Sequence, residues 1–299
     1  MKEIVMLSGK GGTGKTSLTA VFASMMRKPV VVDCDVDAAN LHLLLSPIIE
    51  ERHDFTGGAK ARVHVTVCNG CGLCVDGCRF DALRLVEDVA VVEPLHCEGC
   101  GVCTQRCPPG AISLETQSSG EWFLSRTRNG PMLHARLRPG QDNSGMLVAA
   151  LRQSARALAR RNGASWILVD GPPGTGCPVI SSLTGADYAV MVTEPTLSGF
   201  EGLQRAVAVA DHFLIPTGII VNKADINPDV ARRIEEYAAA AGRDVLGRIQ
   251  YDPAFTTAQL LGSSVLGAAT SVLRQRLEDV WRAVERAAQS KRFAFAVIR

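Results

Sequence analysis

The chain has 299 residues, enough to bury a full core in one large domain or two smaller ones. Its 32 Lys and Arg stand against 30 Asp and Glu, so no charge excess points to nucleic acid or to an anionic membrane surface. No apolar run approaches the ~18 residues of a membrane span, and the first, Ile4–Leu7, is too short for the core of a signal peptide.

The protein is therefore expected in the cytoplasm. Cysteines there are kept reduced, and the ten in this chain then point to metal or redox chemistry. Residues 2–7 read as a short buried strand. Gly9-Lys10-Gly11-Gly12-Thr13-Gly14-Lys15-Thr16 follows and matches G-x-x-x-x-G-K-[ST], with Leu18, Val21, Phe22 and Met25 at the period of a helix packed on a sheet. Strand, glycine loop and helix together read as a phosphate-binding loop, with Gly9, Lys10, Gly11, Gly12, Thr13, Gly14, Lys15, Thr16 and Ser17 as its binding residues. Glycines let backbone N–H groups wrap phosphate oxygens, and the helix N-terminus adds its positive end. Lys15 is expected on the β- and γ-phosphates and the Thr16 hydroxyl on Mg²⁺.

The next apolar strand, 29–37, ends in Asp33, Asp35 and Asp37, candidates for positioning water or sensing a γ-phosphate. In an open parallel sheet ligands bind at such carboxyl ends, although an acid there can also cap a helix. Cys34 reads as a small core residue.

A different composition then intervenes. Cys68, Cys71, Cys74 and Cys78 form a C-x₂-C-x₂-C-x₃-C run that recurs 29 residues later as Cys97, Cys100, Cys103 and Cys107, the last followed by Pro108. Three thiolates on a tight turn converge on one cube while the fourth starts a helix toward the other. Cys68, Cys71, Cys74 and Cys107 are thus expected to hold one [4Fe–4S] cluster, and Cys97, Cys100, Cys103 and Cys78 a second. The spacing resembles two-cluster bacterial ferredoxins throughout. Zinc does not call for such a run twice, and disulfides do not suit the cytosol. Arg79 stands where the first run should have proline, which puts a cation near one cluster and argues against equal potentials.

Residues 118–145, rich in Gly, Arg and turn formers, read as the return from this insert, capping a helix over 146–161. The strand of 165–176 ends at Asp170 in a Gly/Pro loop, making Asp170 a second-shell Mg²⁺ candidate. The stretches KGGTGKT, VVVDCDVDAANLHLLL and ILVDGPPGTG together resemble the deviant Walker A ATPases of the MinD, Mrp and nitrogenase-iron-protein group. The resemblance covers residues 1–50 and about 140–270. It implies a nucleotide-dependent homodimer, or heterodimer with a paralogue, in which Lys10 reaches the partner subunit's ATP. Lys15 and Thr16 would serve phosphate and Mg²⁺, Asp35 and Asp170 would form the two switches, and the catalytic set would be Lys10, Lys15, Asp35 and Asp170. Cys177 follows Asp170 at the spacing of an intersubunit cluster ligand of the nitrogenase iron protein, without the second ligand of that site; a lone loop thiol is the other reading.

Asn222, at the end of the strand of 217–225, matches the residue that reads adenine in that group. Asn222-Lys223-Ala224-Asp225 also fits the guanine-reading N-K-x-D, since Asp225 could accept two hydrogen bonds from guanine but not from adenine, so GTP stays open beside ATP. Leu273, Leu277, Val280, Trp281 and Val284 form a helical core face, and the tail 291–299 alternates like an edge strand and carries no basic amphipathic membrane helix.

The expected fold is α/β: a doubly wound, mostly parallel P-loop sheet (1–60 and 118–299) interrupted after its second strand by a ferredoxin-like α+β domain (61–117). The expected function is ATP hydrolysis gating electron transfer through two [4Fe–4S] clusters, or docking to a redox partner. An iron–sulfur scaffold or carrier of the Mrp type and a redox-sensing regulatory ATPase are the alternatives.

Overall fold

The computed structural model describes residues 1–138 and 143–290. In chain order the elements are β1 (Lys2–Ser8), α1 (Lys15–Met25), β2 (Val30–Asp33), α2 (Leu41–Leu45), β3 (Ile48–Val63), α3 (Leu73–Asp76), β4 (Leu83–Val86), β5 (Val89–Val92), α4 (Val102–Gln105), β6 (Ile112–Thr127) and β7 (Gly130–Leu137). They continue with α5 (Ser144–Arg161), β8 (Trp166–Pro173), α6 (Cys177–Leu183), β9 (Tyr188–Thr193), α7 (Leu197–His212), β10 (Thr217–Asn222), α8 (Pro228–Ala240), β11 (Asp244–Ile249), α9 (Ala254–Leu260) and α10 (Ser271–Ser290). Among the described residues two compact units result: Met1–His53 with Trp122–Arg136 and Ser144–Ser290, and Asp54–Glu121 with Leu137, Arg138 and Asn143.

The first unit is organised by a sheet in the order β11-β10-β9-β1-β8-β2-β7-β6-β3, of whose last two strands only Trp122–Thr127 and Ile48–His53 belong to it. The pairs β11–β10, β10–β9, β9–β1, β1–β8, β8–β2 and β2–β7 are all parallel. Parallel strands need crossovers that cover both faces, which is why β1, β2, β9 and β10 are buried almost end to end rather than alternating. Leu18, Val21 and Phe22 of α1 share one apolar cluster with Leu273, Leu277, Val280, Trp281 and Val284 of α10, with Phe22 and Trp281 ring centroids 5.4 Å apart. Met25, the fourth residue of the predicted α1 stripe, is only half-buried at the rim of that cluster. Cys34 is fully buried.

Three expectations change. Strand β2 stops at Asp33, so Asp35 and Asp37 lie in the turn beyond it. The cysteine segment follows α2 and β3 rather than β2 directly. Residues 118–145 are not a return linker: most belong to β6 and β7, a hairpin closed by Arg128–Asn129 and joined to β2 through β7. Glycine and arginine composition hid these strands, yet Phe123, Ser125, Met132 and Leu133 turn inward. The tail 291–299, read as an edge strand, lies outside the described residues.

In the second unit the 29-residue repeat is realised atom by atom. Ala61 N–H points to Cys97 Sγ (3.4 Å) and Ala90 N–H to Cys68 Sγ (3.5 Å), and 61 and 90 differ by 29 as 68 and 97 do. Likewise Ala82 N–H meets Cys78 Sγ (3.4 Å) and Ala111 N–H meets Cys107 Sγ (3.2 Å). His64 N–H donates to the Ala111 carbonyl and Glu93 N–H to that of Ala82, again one repeat apart and crossing between halves. The unit is therefore a pseudo-two-fold pair in which each half supplies donors to the other's first cysteine. The β4–β5 hairpin turns at Glu87 and Asp88, both with positive φ (49° and 55°), as a two-residue turn matching strand twist requires.

Candidate functional site

The carboxyl ends of β1, β8, β2 and β10 meet around the glycine loop. Its conformation leaves no room for side chains at two places. Gly14 has φ of +89°, and a Cβ there would lie 2.3 Å from the Asn222 amide nitrogen; a Cβ on Gly9 would lie 2.0 Å from the Gly202 backbone. A cavity of about 700 Å³ opens above the loop. Gly11, Gly12, Thr13, Gly14, Lys15, Thr16, Ser17, Asp35 and Asn222 line it, as do Gln250, Tyr251, Asp252 and Phe255 after β11. This last group was missed in the sequence. Nothing local marks it, since β11 carries Asp244 and Arg248 and is no apolar run ending in an acid as β2 is.

Behind the loop Asp170 is fully buried and gathers three donors: Lys15 Nζ at 2.8 Å, Thr16 Oγ1 at 2.7 Å and Thr19 Oγ1 at 2.8 Å. It therefore couples the phosphate-loop lysine and the metal-ligand candidate Thr16 to β8. Asp33 lies directly across from Asp170 in the β2–β8 register, equally buried. Burial and the Asp170 charge push its carboxyl up, against the opposing pull of Lys15. Asp33 accepts from the N–H groups of Asp35 (3.2 Å) and Leu41 (3.1 Å), so it braces the turn into α2 and does not line the cleft. Asp35 lines the cleft half-buried, its carboxyl raised mainly by burial, whereas Asp37 is exposed.

Lys10 lies on the other side of the loop. Its ammonium is met by Glu194 Oε1 at 2.7 Å, Thr196 Oγ1 at 3.0 Å and Ser198 Oγ at 3.0 Å. Glu194 Oε2 in turn accepts from Lys223 at 2.7 Å, and Lys223 also donates to the Gly12 carbonyl at 2.9 Å. Burial alone would raise the Glu194 carboxyl, but hydrogen bonds from Lys10 and Lys223 outweigh it and lower it. Asn222 donates its amide to the Thr13 carbonyl at 2.8 Å. Asp225 accepts from the Tyr251 N–H at 2.6 Å and is not among the cleft-lining residues.

In the second unit Cys78, Cys97, Cys100 and Cys103 line one cavity with Phe80, Leu83 and Leu114. Burial pushes the Cys74 thiol up, and the nearby Cys107 and Cys68 sulfurs act in the same direction, so the fourth cysteine of the second run stands with the first run. Cys71 is exposed. Among the described residues no three His, Cys, Asp or Glu side chains converge as ligands of a single metal ion. Cys177 is exposed at the first residue of α6. No helix among the described residues is long and apolar enough to cross a membrane.

A family profile described as CobQ/CobB/MinD/ParA nucleotide binding domain matches residues 4–265. An uncharacterised protein of Methanocaldococcus jannaschii is 31% identical over 239 residues, covering 75% of this chain and 79% of its own length. A second from the same organism is 27% identical over 244 residues, covering 76% and 82%. Among solved structures, the septum site-determining protein MinD of Pyrococcus horikoshii, complexed with Mg-ADP, superposes with a TM-score of 0.56 at 19% identity, covering 96% of this chain and 97% of that one. The cell division ATPase MinD of Pyrococcus furiosus gives 0.55 at 18% identity over 95% and 98%. At these identities the two structures establish the likeness of fold.

Proposed function

The chain belongs to the CobQ/CobB/MinD/ParA nucleotide-binding domain family, and on that premise we propose that it is a dimeric, ATP-hydrolysing iron–sulfur protein whose nucleotide state gates electron transfer, or docking to a redox partner protein. The observation that carries the proposal is the cavity lined by Cys78 together with Cys97, Cys100 and Cys103. It unites the last cysteine of one run with the first three of the other, as a two-cluster ferredoxin requires.

The donor set suits [4Fe–4S] clusters. Each cysteine of a cubane binds a different iron, so its four sulfurs need not converge on one point as ligands of a single ion must. Cys68, Cys71, Cys74 and Cys107 would hold one cluster and Cys78, Cys97, Cys100 and Cys103 the other. Backbone N–H groups of Ala61, Ala82, Ala90 and Ala111 aimed at sulfur would stabilise the thiolate charge. When bound, such clusters supply one-electron chemistry.

In the nucleotide cleft, Gly11 to Ser17 and the α1 N-terminus would cradle the phosphates of ATP, Lys15 would neutralise their charge, and Thr16 would hold Mg²⁺ with Asp170 behind it. Asp35 faces the cleft and would position water. Asn222 would read the adenine edge; Asp225 is engaged by Tyr251, which supports ATP over GTP. Lys10 would act on the partner's nucleotide, neutralising charge on the transferring phosphoryl group.

A coupling of ~1–3 kcal/mol between sites is typical. For one electron that is roughly 40–130 mV, enough to bias a transfer. The test is an anaerobic potentiometric EPR titration with and without ATP, on wild type and Lys10→Ala. Gating predicts midpoints or partner reduction that change with ATP in the wild type and not in the variant. Potentials and partner reduction indifferent to ATP would refute it.

A further inference from the structure

The cradle around Lys10 is built from its own subunit. An ammonium carries three N–H donors, and three acceptors lie within 3.0 Å: Glu194 and Thr196 from the segment linking β9 to α7, and Ser198 from the first turn of α7. The segment is rigidly set. Thr196 caps α7 by accepting the Gly199 N–H at 3.0 Å, and the Glu194 carbonyl accepts the Thr196 N–H at 2.8 Å. Glu194 is only 13% exposed, and its second oxygen is taken by Lys223, which also grips the Gly12 carbonyl of the phosphate loop. One carboxylate thus ties together a lysine on each flank of the loop. A lysine saturated within its own subunit is not free to serve a neighbour.

We infer that Glu194 is a positioning residue that parks Lys10 in its own subunit and thereby sets how readily this lysine transfers to the nucleotide of a second copy of the chain. The inference rests on the proposed role of Lys10 across the dimer. Transfer requires the Lys10–Glu194 pair to break, while the Lys223–Glu194 pair can persist and keep the carboxylate compensated. Glu194 therefore opposes dimer closure through Lys10 alone.

Two measurements on the full chain test this. Amine acylation footprinting without nucleotide compares wild type with Glu194→Gln; Lys10 should become about fivefold more reactive once its charged acceptor is gone. Sedimentation with Mg²⁺ and a non-hydrolysable ATP analogue then reads the dimer dissociation constant. It should tighten about fivefold in Glu194→Gln, the scale of a half-buried ion pair released. Ser198→Ala, which removes one neutral acceptor and leaves the α7 cap intact, should tighten it about twofold. Unchanged Lys10 reactivity, or a dimer weakened or unaltered by both substitutions, would overturn the inference. A wild type that stays monomeric with the analogue, while Lys10 reactivity still rises in Glu194→Gln, would instead remove the role across the dimer and leave the cradle as a local contact.

Discussion

Asp170→Asn isolates the buried charge behind the phosphate loop. Asp170 is fully buried and Lys15 is only 5% exposed. Without the carboxylate charge, Lys15 keeps only Thr16 Oγ1 at 3.4 Å and a neutral amide oxygen. Removing one partner of a buried pair outright costs about 3–5 kcal/mol. The amide retains shape and part of the hydrogen bonding from Thr16 and Thr19, so about 2–3 kcal/mol is expected. For a folded unit of this size that corresponds to roughly 5–10 °C in melting temperature.

A second signature separates charge from shape. The raised Asp33 carboxyl binds its proton more tightly folded than unfolded, so it makes stability fall as pH rises between the ordinary carboxylate range and its raised value of about 8. Because Asp170 is one cause of that rise, the slope should be shallower in Asp170→Asn. Thermal melts from pH 5 to 8 on both proteins supply the two readings. A variant as stable as the wild type at pH 7, with an unchanged slope, would mean that the Lys15–Asp170 pair is effectively solvated and that this electrostatic account of the loop is wrong.

Three further outcomes are expected. His134 is held down at about 4 by burial and by His42, with Ser125 at 2.9 Å, so its contribution is present above the ordinary histidine range and lost as pH falls from about 6.5 toward 4; melts of His134→Phe should show a flatter acid limb. Gly14→Ala puts a methyl group against the Asn222 amide at a left-handed φ and should lower affinity for a fluorescent ATP analogue at least tenfold. Lys60 donates to the Cys97 carbonyl at 2.5 Å, whereas Val89 occupies the equivalent place one repeat later. If clusters are bound as proposed, Lys60→Leu should lower one EPR midpoint by roughly 20–40 mV and leave the other in place.

The order of strand, glycine loop, helix and aspartate-ended strand was legible because each is a local pattern: buried parallel strands are continuous apolar runs, and the loop's glycines answer to backbone geometry within a few residues. The cysteine repeat was legible for the same reason, and its 29-residue offset reappears in the hydrogen bonds that cross between halves of the second unit. What escaped was non-local. Strands β6 and β7 sit in a stretch of turn-forming composition and exist because neighbouring strands satisfy their backbone groups. Asp33 looked like a phosphate sensor, but the β2–β8 register sets it beside Asp170, where it braces a turn. Glu194 carries no motif at all. It lies 184 residues from Lys10, and only the adjacency of β9 to β1 in the sheet brings that carboxylate to the loop. Sequence by itself determined where the glycine loop and the cysteine repeat lie, because those depend on residue types at short spacing. Tertiary structure decided which charges meet, because Coulomb energy depends on distance and burial, and neither is written along the chain.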